Sequence, residues 1–403
     1  MVNKIKFSGC GDPSFTPAVK VCKLSWEDDI VDSIYHCYAG AAFGMEGLVS
    51  KELKQAGADG VASENGGVGF SASGEKLFAL NMNMRFSDRL YIVLASESCR
   101  TFEELFNLVH GIDWAPFFSG NESIDVSCKC TRSMLMSPRD CQSVTKKAII
   151  RKIQNATGQS VFPETGTSLP VHLTIRNDRA MILLNTSGQA LSRRGYRTWN
   201  GEAPLRETLA AALVELSGWK SGQPLHDPCC GTGTILAEAA LHAAGIAPGL
   251  HRSFSMEQFP CFGDIPFASI RKQAESVCDM DRAAQISGSD IDREALELAR
   301  RHLIQAGFPE GKIPLEQIPL QELKLSADNG VFICNPPYGE RLGDQEYCRK
   351  LYRDLYCLWK RHLGWRMCAI SSDPAFERSF GKRADKKRRL YNGRLECVFY
   401  VYD

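Results

Sequence analysis

From about residue 202 to the end, short strand-like runs alternate with longer helical patterns, and three of the runs stop on an abrupt polar turn. Pro224-Leu225-His226 leads into Asp227, Ile286-Ser287-Gly288-Ser289 into Asp290, and the wholly apolar Val331-Phe332-Ile333-Cys334 into Asn335. Strands that alternate with helices pair in parallel, and the helices cover the faces of the sheet. Parallel connection brings the carboxyl ends of all three strands to one edge, where ligands of such sheets bind. This half is therefore α/β, and its chemistry is expected in the three turns.

The first turn, Asp227-Pro228-Cys229-Cys230-Gly231-Thr232-Gly233-Thr234, is followed at once by the apolar helix Ile235 to Leu241. Gly231 and Gly233 let the backbone pass close to a ligand, and the helix N-terminus offers free N–H groups to a carboxylate. The turn lacks both the third glycine of the dinucleotide fingerprint and the Lys-Ser/Thr of a phosphate loop. Asp227 offers instead an acceptor for an ammonium group, directly or through water. That favours S-adenosylmethionine over NAD or ATP, with Asp227, Cys229, Gly231, Gly233 and Thr234 as candidate cofactor-binding residues. Asp290 ends the second strand, where a carboxylate can accept both ribose hydroxyls, and Ile291 is placed to pack on adenine. Each acidic residue taken alone is equally well explained as a helix cap. Their order on one frame is what favours the cofactor. The two turns stand about three times farther apart than the ~20 residues of a compact dinucleotide unit, which marks residues 245–284 as an insertion.

Asn335-Pro336-Pro337-Tyr338 carries the reaction type. An exocyclic amine on a base is nearly planar and its lone pair is drawn into the ring, so it is a poor nucleophile. The Asn335 side-chain oxygen and the Pro336 carbonyl can accept both amine hydrogens and direct the lone pair at a sulfonium methyl. The prolines preorganise these acceptors. Tyr338 offers a ring face for the base, an interaction worth about 1–3 kcal/mol. Asn335, Pro336 and Tyr338 are the candidate catalytic residues, and Asn335 also belongs to the cofactor set. The competing role is a strand followed by a rigid proline turn with a surface tyrosine.

The N-terminal half has a different texture. Residues 1–34 show no clear period and read as an extension. Residues 35–79 form one small α+β unit, with a helix near 44–55 and a strand around Val68-Gly69-Phe70. Residues 80–188 form a second: a strand at 90–94, a helix opened by a capping box at Thr101 and Glu104, a strand at 124–128, a helix from Asp140 to Gln154, and a hairpin at 171–185 turning through Asn177-Asp178. The methyltransferase domain takes residues 189–403. Of the 403 residues, 44% are hydrophobic, and the formal net charge is +1, so a nucleic-acid partner has to be held by local basic clusters. Two such clusters occur, Lys146/Lys147/Arg151/Lys152 and Lys382/Arg383/Lys386/Lys387/Arg388/Arg389/Arg394; Lys146, Lys147, Arg151, Lys386, Lys387 and Arg388 are the RNA-binding candidates. A charge run is more often a solvated face. The 16 cysteines are scattered without the spacing of a zinc site, so no metal is expected. No apolar run approaches the ~20 residues of a membrane span and no secretory leader is evident, which points to a cytoplasmic protein.

These residues resemble the THUMP-domain RNA methyltransferases, most closely the 23S rRNA guanine-N2 methyltransferase group, including the N-terminal half of its bifunctional form. The markers are Ala41 to Glu46, Arg139-Asp140-Cys141-Gln142, Arg194-Gly195-Tyr196-Arg197, Ala203 to Ala210, Asp227 to Thr234, Asn335 to Leu342 and Leu390 to Arg394. The resemblance runs from Tyr35 to the end. It implies a Rossmann-like class I methyltransferase domain, with a mostly parallel seven-stranded sheet and a terminal antiparallel strand, preceded by ferredoxin-like and THUMP domains that grip RNA. It implies S-adenosylmethionine as cofactor, large-subunit rRNA or its assembly intermediate as partner, and guanine N2 as target. One position departs from the pattern. Where related enzymes often carry an acidic residue for the adenine amino group, this chain has Pro319, with Glu322 a weak substitute. The alternatives are a protein glutamine-N5 or an adenine-N6 methyltransferase built on the same tetrapeptide, or a non-catalytic RNA-binding assembly factor.

Overall fold

A computed structural model describes residues 33–158, 162–197, 205–338 and 344–403. Residues 1–32 of the extension and the markers Ala203-Pro204 and 339–342 lie outside the described residues.

The N-terminal half contains β1 (Ile34–Gly40), α1 (Glu46–Gln55), β2 (Asp59–Glu64), β3 (Gly67–Ser73), α2 (Gly74–Asn83), β4 (Arg89–Ser98), α3 (Phe102–His110), β5 (Ser123–Thr131), α4 (Pro138–Thr157), β6 (Ser168–Arg176) and β7 (Arg179–Asn185). Local chemistry sets several of the boundaries. Thr101 and Glu104 close a reciprocal capping box on α3, and Ser137 caps α4 with Pro138 in its first turn. Asn177 and Asp178 both take positive φ, 49° and 59°, as the two-residue turn between β6 and β7 requires.

Two separate α+β sheets are not what forms. The strands make one seven-stranded sheet in the order β2-β3-β1-β4-β7-β6-β5. Its central strand β4 pairs with β1 on one side, Tyr38 opposite Tyr91, and with β7 on the other, Tyr91 opposite Asn185. Such pairings join residues far apart in sequence and leave no local signal. α2 also runs without a break through residues 79 and 80.

The C-terminal half contains α5 (Glu207–Leu216), β8 (Leu225–Asp227), α6 (Thr234–Ala243), α7 (Phe267–Ser276), β9 (Ile286–Asp290), α8 (Arg293–Gln305), β10 (Leu315–Gln317), β11 (Gly330–Cys334), α9 (Asp344–Arg361), β12 (Trp365–Ser371), α10 (Phe376–Phe380), β13 (Lys386–Asn392) and β14 (Leu395–Tyr402). Its sheet has the order β10-β9-β8-β11-β12-β14-β13. All neighbours are parallel except β14, which runs antiparallel to both β12 and β13. This is the mostly parallel sheet that the alternation implies, with the terminal antiparallel strand that the resemblance implies. Val331 to Cys334 are all buried, as a strand covered on both faces must be.

The insertion between the first two turns bonds the two halves together. Phe254, Phe262 and Phe267 approach Phe78 or Tyr35 of the N-terminal half with ring centroids 4.6–5.7 Å apart. Arg271 lies 4.9 Å over the Phe78 ring while pairing with Glu257 at 2.8 Å. Backbone bonds from Gly249 to Met82 and from Met256 to Thr186 add to the seam. Among the described residues no helix is long and apolar enough to cross a membrane.

Candidate active site

Strand pairing assembles the site. β8 lies between β9 and β11, with Asp227 level with Gly288 and Phe332 level with His226, so the three polar turns emerge side by side. The first turn needs its glycines for two different reasons. Gly231 has φ +50° and open space where a Cβ would stand, whereas Gly233, the residue before α6, has φ +79° and lies close against Ala299. The first leaves room for a ligand, and the second lets α6 pack on α8.

The acidic residues separate by the bonds they make. Asp292 caps α8, accepting from the N–H groups of Glu294 and Ala295, so the structural explanation holds for it. Asp290 caps nothing. It accepts the Gly231 N–H at 2.8 Å and the Asp292 N–H at 3.0 Å, linking the two turns and leaving lone pairs on both oxygens. Asp227 is 1% exposed and accepts the Cys229 N–H at 3.1 Å. Burial, opposed by that bond and reinforced by the nearby Asp290 charge, pushes its carboxyl well above the usual range. Among the described residues no cationic side chain pairs with Asp227. A carboxylate so placed can receive a cationic ligand group.

Two clefts of about 780 and 610 Å³ meet at Cys229, Gly231, Asp292 and Asn335. The smaller contains Asp227 and Thr234, and the larger contains Asp290, Ile291, Pro336 and Tyr338. Ile291 is 54% exposed, an apolar side chain left in the cleft. Asn335 thus stands where the two clefts join. Pro336 is buried, and the buried Tyr352 donates to the Pro337 carbonyl at 3.0 Å, fixing the tetrapeptide from behind.

Tyr338 lines the larger cleft and is not the surface tyrosine of the competing role. It is partly buried against the core, and its hydroxyl donates to the Asn335 side-chain oxygen. That bond orients the carboxamide. A well-exposed ring at the cleft is Tyr347 of α9, 49% exposed, with Lys350 and Asp354 on the same helix and Asn392 from β13. Sequence reasoning missed all four, because only packing brings α9 and the β13–β14 hairpin to this edge. At the Pro319 position the cleft is lined by Ile318, Pro319, Leu320 and Gln321 and not by Glu322, and Gln321 donates to Asp354 at 2.6 Å.

The RNA-binding candidates fall on two different sheets. Lys147 and Arg151 are exposed on α4, while Lys146 pairs with Glu164 at 2.6 Å. β13 is the edge strand of the second sheet. There Lys387 pairs with Glu377 at 2.8 Å, Lys386 stands 3.8 Å from the Asp403 carboxylate, and Arg388 donates to the Gly44 carbonyl of the N-terminal half at 2.8 Å. Charge on an edge strand also blocks pairing with other chains.

Residues 194–400, the span holding all three turns, match the RMKL-like methyltransferase domain family. The chain belongs to that family. Upstream of the RMKL-like methyltransferase domain, residues 36–91 match the RlmL ferredoxin-like domain and residues 99–185 the THUMP domain. The chain is 35% identical to YpsC of Bacillus subtilis, provisionally named an RNA methyltransferase, over 91% of this chain and 96% of that protein. It is 32% identical to the ribosomal RNA large subunit methyltransferase K/L of Shewanella frigidimarina over 92% of its own length, but spans only 53% of that relative. The crystal structure of SMU.472, provisionally titled a methyltransferase and complexed with SAH, superposes at a TM-score of 0.86 with 37% identity, covering 92% of this chain and 98% of that one. The family's cofactor is S-adenosylmethionine. The site fits it: a buried carboxylate without a protein cation, an open glycine turn, a second carboxylate at the end of β9 and the exposed Ile291.

Proposed function

We propose that the chain methylates the exocyclic N2 of a guanine in large-subunit 23S rRNA. The observation that carries the amine chemistry is the position of Asn335 where the two clefts join, beside Gly231 and in reach of both. The THUMP match and the names of the ribosomal relatives support an RNA substrate over a glutamine side chain. Guanine N2 rests on the family resemblance.

In this reading Asp227 receives the cofactor's ammonium, Asp290 the ribose hydroxyls, and Ile291 packs on adenine. S-adenosylmethionine supplies an electrophilic methyl group on sulfur. Asn335, held by Tyr338, and the Pro336 carbonyl accept the two amine hydrogens and hold nitrogen with its lone pair directed at that methyl. Bound there, the cofactor would give up its methyl group to the nitrogen and keep the S–C electron pair, leaving as the thioether. Both acceptors stabilise the positive charge growing on nitrogen, which then loses a proton to water. No strong base is required, since the nitrogen becomes acidic as it gains the methyl group. Tyr347 provides a face for the extruded base.

The test is transfer of labelled methyl from S-adenosylmethionine to 23S rRNA, with nucleoside analysis of the product. The expected product is N2-methylguanosine, and Asn335→Ala abolishes it while S-adenosylhomocysteine affinity in calorimetry changes less than about threefold. N6-methyladenosine as product overturns the target, and full activity in Asn335→Ala overturns the amine-holding role.

A further inference from the structure

Away from the cleft, three sulfur atoms converge between the first sheet and α4. Cys128 and Cys130 are two residues apart on β5, so both side chains leave the same face of the strand. α4 covers that face, and Cys141 in its first turns is fully buried against it. The Sγ atoms of Cys128 and Cys130 are 3.6 Å apart, those of Cys130 and Cys141 4.0 Å, and all three lie within 4.8 Å of one another. Thiolates bound at about 2.3 Å to one ion stand roughly 3.8–4.0 Å apart, whether the geometry is tetrahedral or trigonal. The triangle is therefore already near ligand size. The set contains no carboxylate or imidazole, and sulfur-only sets select thiophilic ions over magnesium or calcium.

We propose that Cys128, Cys130 and Cys141 form a thiolate site for a soft d10 ion, Zn(II) or Cu(I), that pins β5 to α4. Cys128 and Cys130 are half-buried, which leaves the ion a path in from solvent. Burial, the largest cause, reinforced by Cys130 and opposed by the hydrogen bond with Cys128, pushes the Cys141 thiol up to about 12. Metal binding replaces each S–H proton, which passes to solvent, and neither the sulfurs nor the ion change oxidation state. Zn(II) would complete its four ligands with a water from the half-buried side. Cu(I) is satisfied by three. The scattered spacing in the sequence conceals this set, because a strand and a helix supply it together.

The experiment titrates the fully reduced, metal-free full-length chain under anaerobic conditions with Zn(II) and separately with Cu(I), using Co(II) as the spectroscopic probe. One equivalent binds, with thiolate-to-cobalt charge transfer in the near ultraviolet. Cys130→Ser, at a half-buried position, lowers affinity roughly a hundredfold or more, and so does the combined Cys128→Ser, Cys130→Ser, Cys141→Ala chain. Circular dichroism and S-adenosylhomocysteine binding stay as in the parent, which separates ligand loss from unfolding. Unchanged metal uptake in the combined variant, or no uptake by the reduced parent, overturns the proposal.

Discussion

Glu238→Gln tests how the N-terminal half is joined to the cofactor helix. Glu238 lies on α6, and its carboxylate faces Arg194 at 3.3 Å with side-chain exposures of 0% and 2%. The guanidinium also donates to the carbonyls of Met84, Leu191 and Arg85, at 3.3, 2.8 and 2.6 Å, so one cation binds the end of α2 to α6. Tyr196 donates to the same carboxylate at 3.1 Å. Burial disfavours the Arg194 charge, and Glu238, with smaller contributions from Tyr196 and Glu207, more than offsets it. Glutamine keeps the shape and one acceptor but leaves the guanidinium unpaired, with the partly buried Arg85 a second cation nearby. Breaking a buried pair in this way costs about 3–5 kcal/mol. Lys51 and Glu215, 2.6 Å apart with exposures of 56% and 29%, form the control, for which Lys51→Ala costs about 0.2–1 kcal/mol. Urea unfolding followed by tryptophan fluorescence reads both losses. A Glu238→Gln cost no larger than the Lys51→Ala cost would falsify the claim that this pair carries the junction.

Three further outcomes follow from the cleft. Tyr338→Phe removes the bond that orients Asn335; a hydrogen bond worth about 0.5–1.5 kcal/mol gives a roughly 3- to 10-fold lower kcat, and an equal loss of S-adenosylhomocysteine affinity would contradict the assignment. Burial raises the Asp227 carboxyl in the free protein, and an ammonium group bound beside it would lower that carboxyl again. Binding of S-adenosylhomocysteine therefore releases a proton, measurable by calorimetry in buffers of different ionisation enthalpy, and weakens as pH falls; Asp227→Asn removes that release. Asp354→Ala frees Gln321 and raises the Kd for S-adenosylhomocysteine by roughly 3- to 10-fold, while the hypoxanthine-bearing analogue is unaffected if the Gln321–Asp354 pair reads the adenine amino group.

The elements read correctly from sequence are those written by local chemistry. The turn at Asp227 to Thr234, the apolar helix that follows it and the strand before Asn335 depend on neighbours a few residues away. Pairing of β4 with β1 and β7 depends on residues up to about a hundred positions apart, so one sheet is indistinguishable from two in the sequence. The aromatics of the insertion are equally silent, since Phe254 and Phe262 become a seam only once Phe78 and Tyr35 stand opposite. The Asn335 site was half visible. Its acceptors follow from the tetrapeptide, but the Tyr338 bond and the Tyr347 ring follow from packing. Arg388 shows the converse, a basic residue in a charged run whose guanidinium bonds to Gly44.

The account stands on one reaction, transfer of a methyl group to an exocyclic amine of an RNA base through Asn335. Mass spectrometry of ribosomal RNA nucleosides, compared between a strain lacking the gene and the same strain complemented with the parent or the Asn335→Ala chain, tests it directly. The predicted result is loss of an N2-methylguanosine from 23S rRNA that the parent restores and Asn335→Ala does not. An unchanged set of methylated bases in the deletion strain, or full restoration by Asn335→Ala, would contradict it.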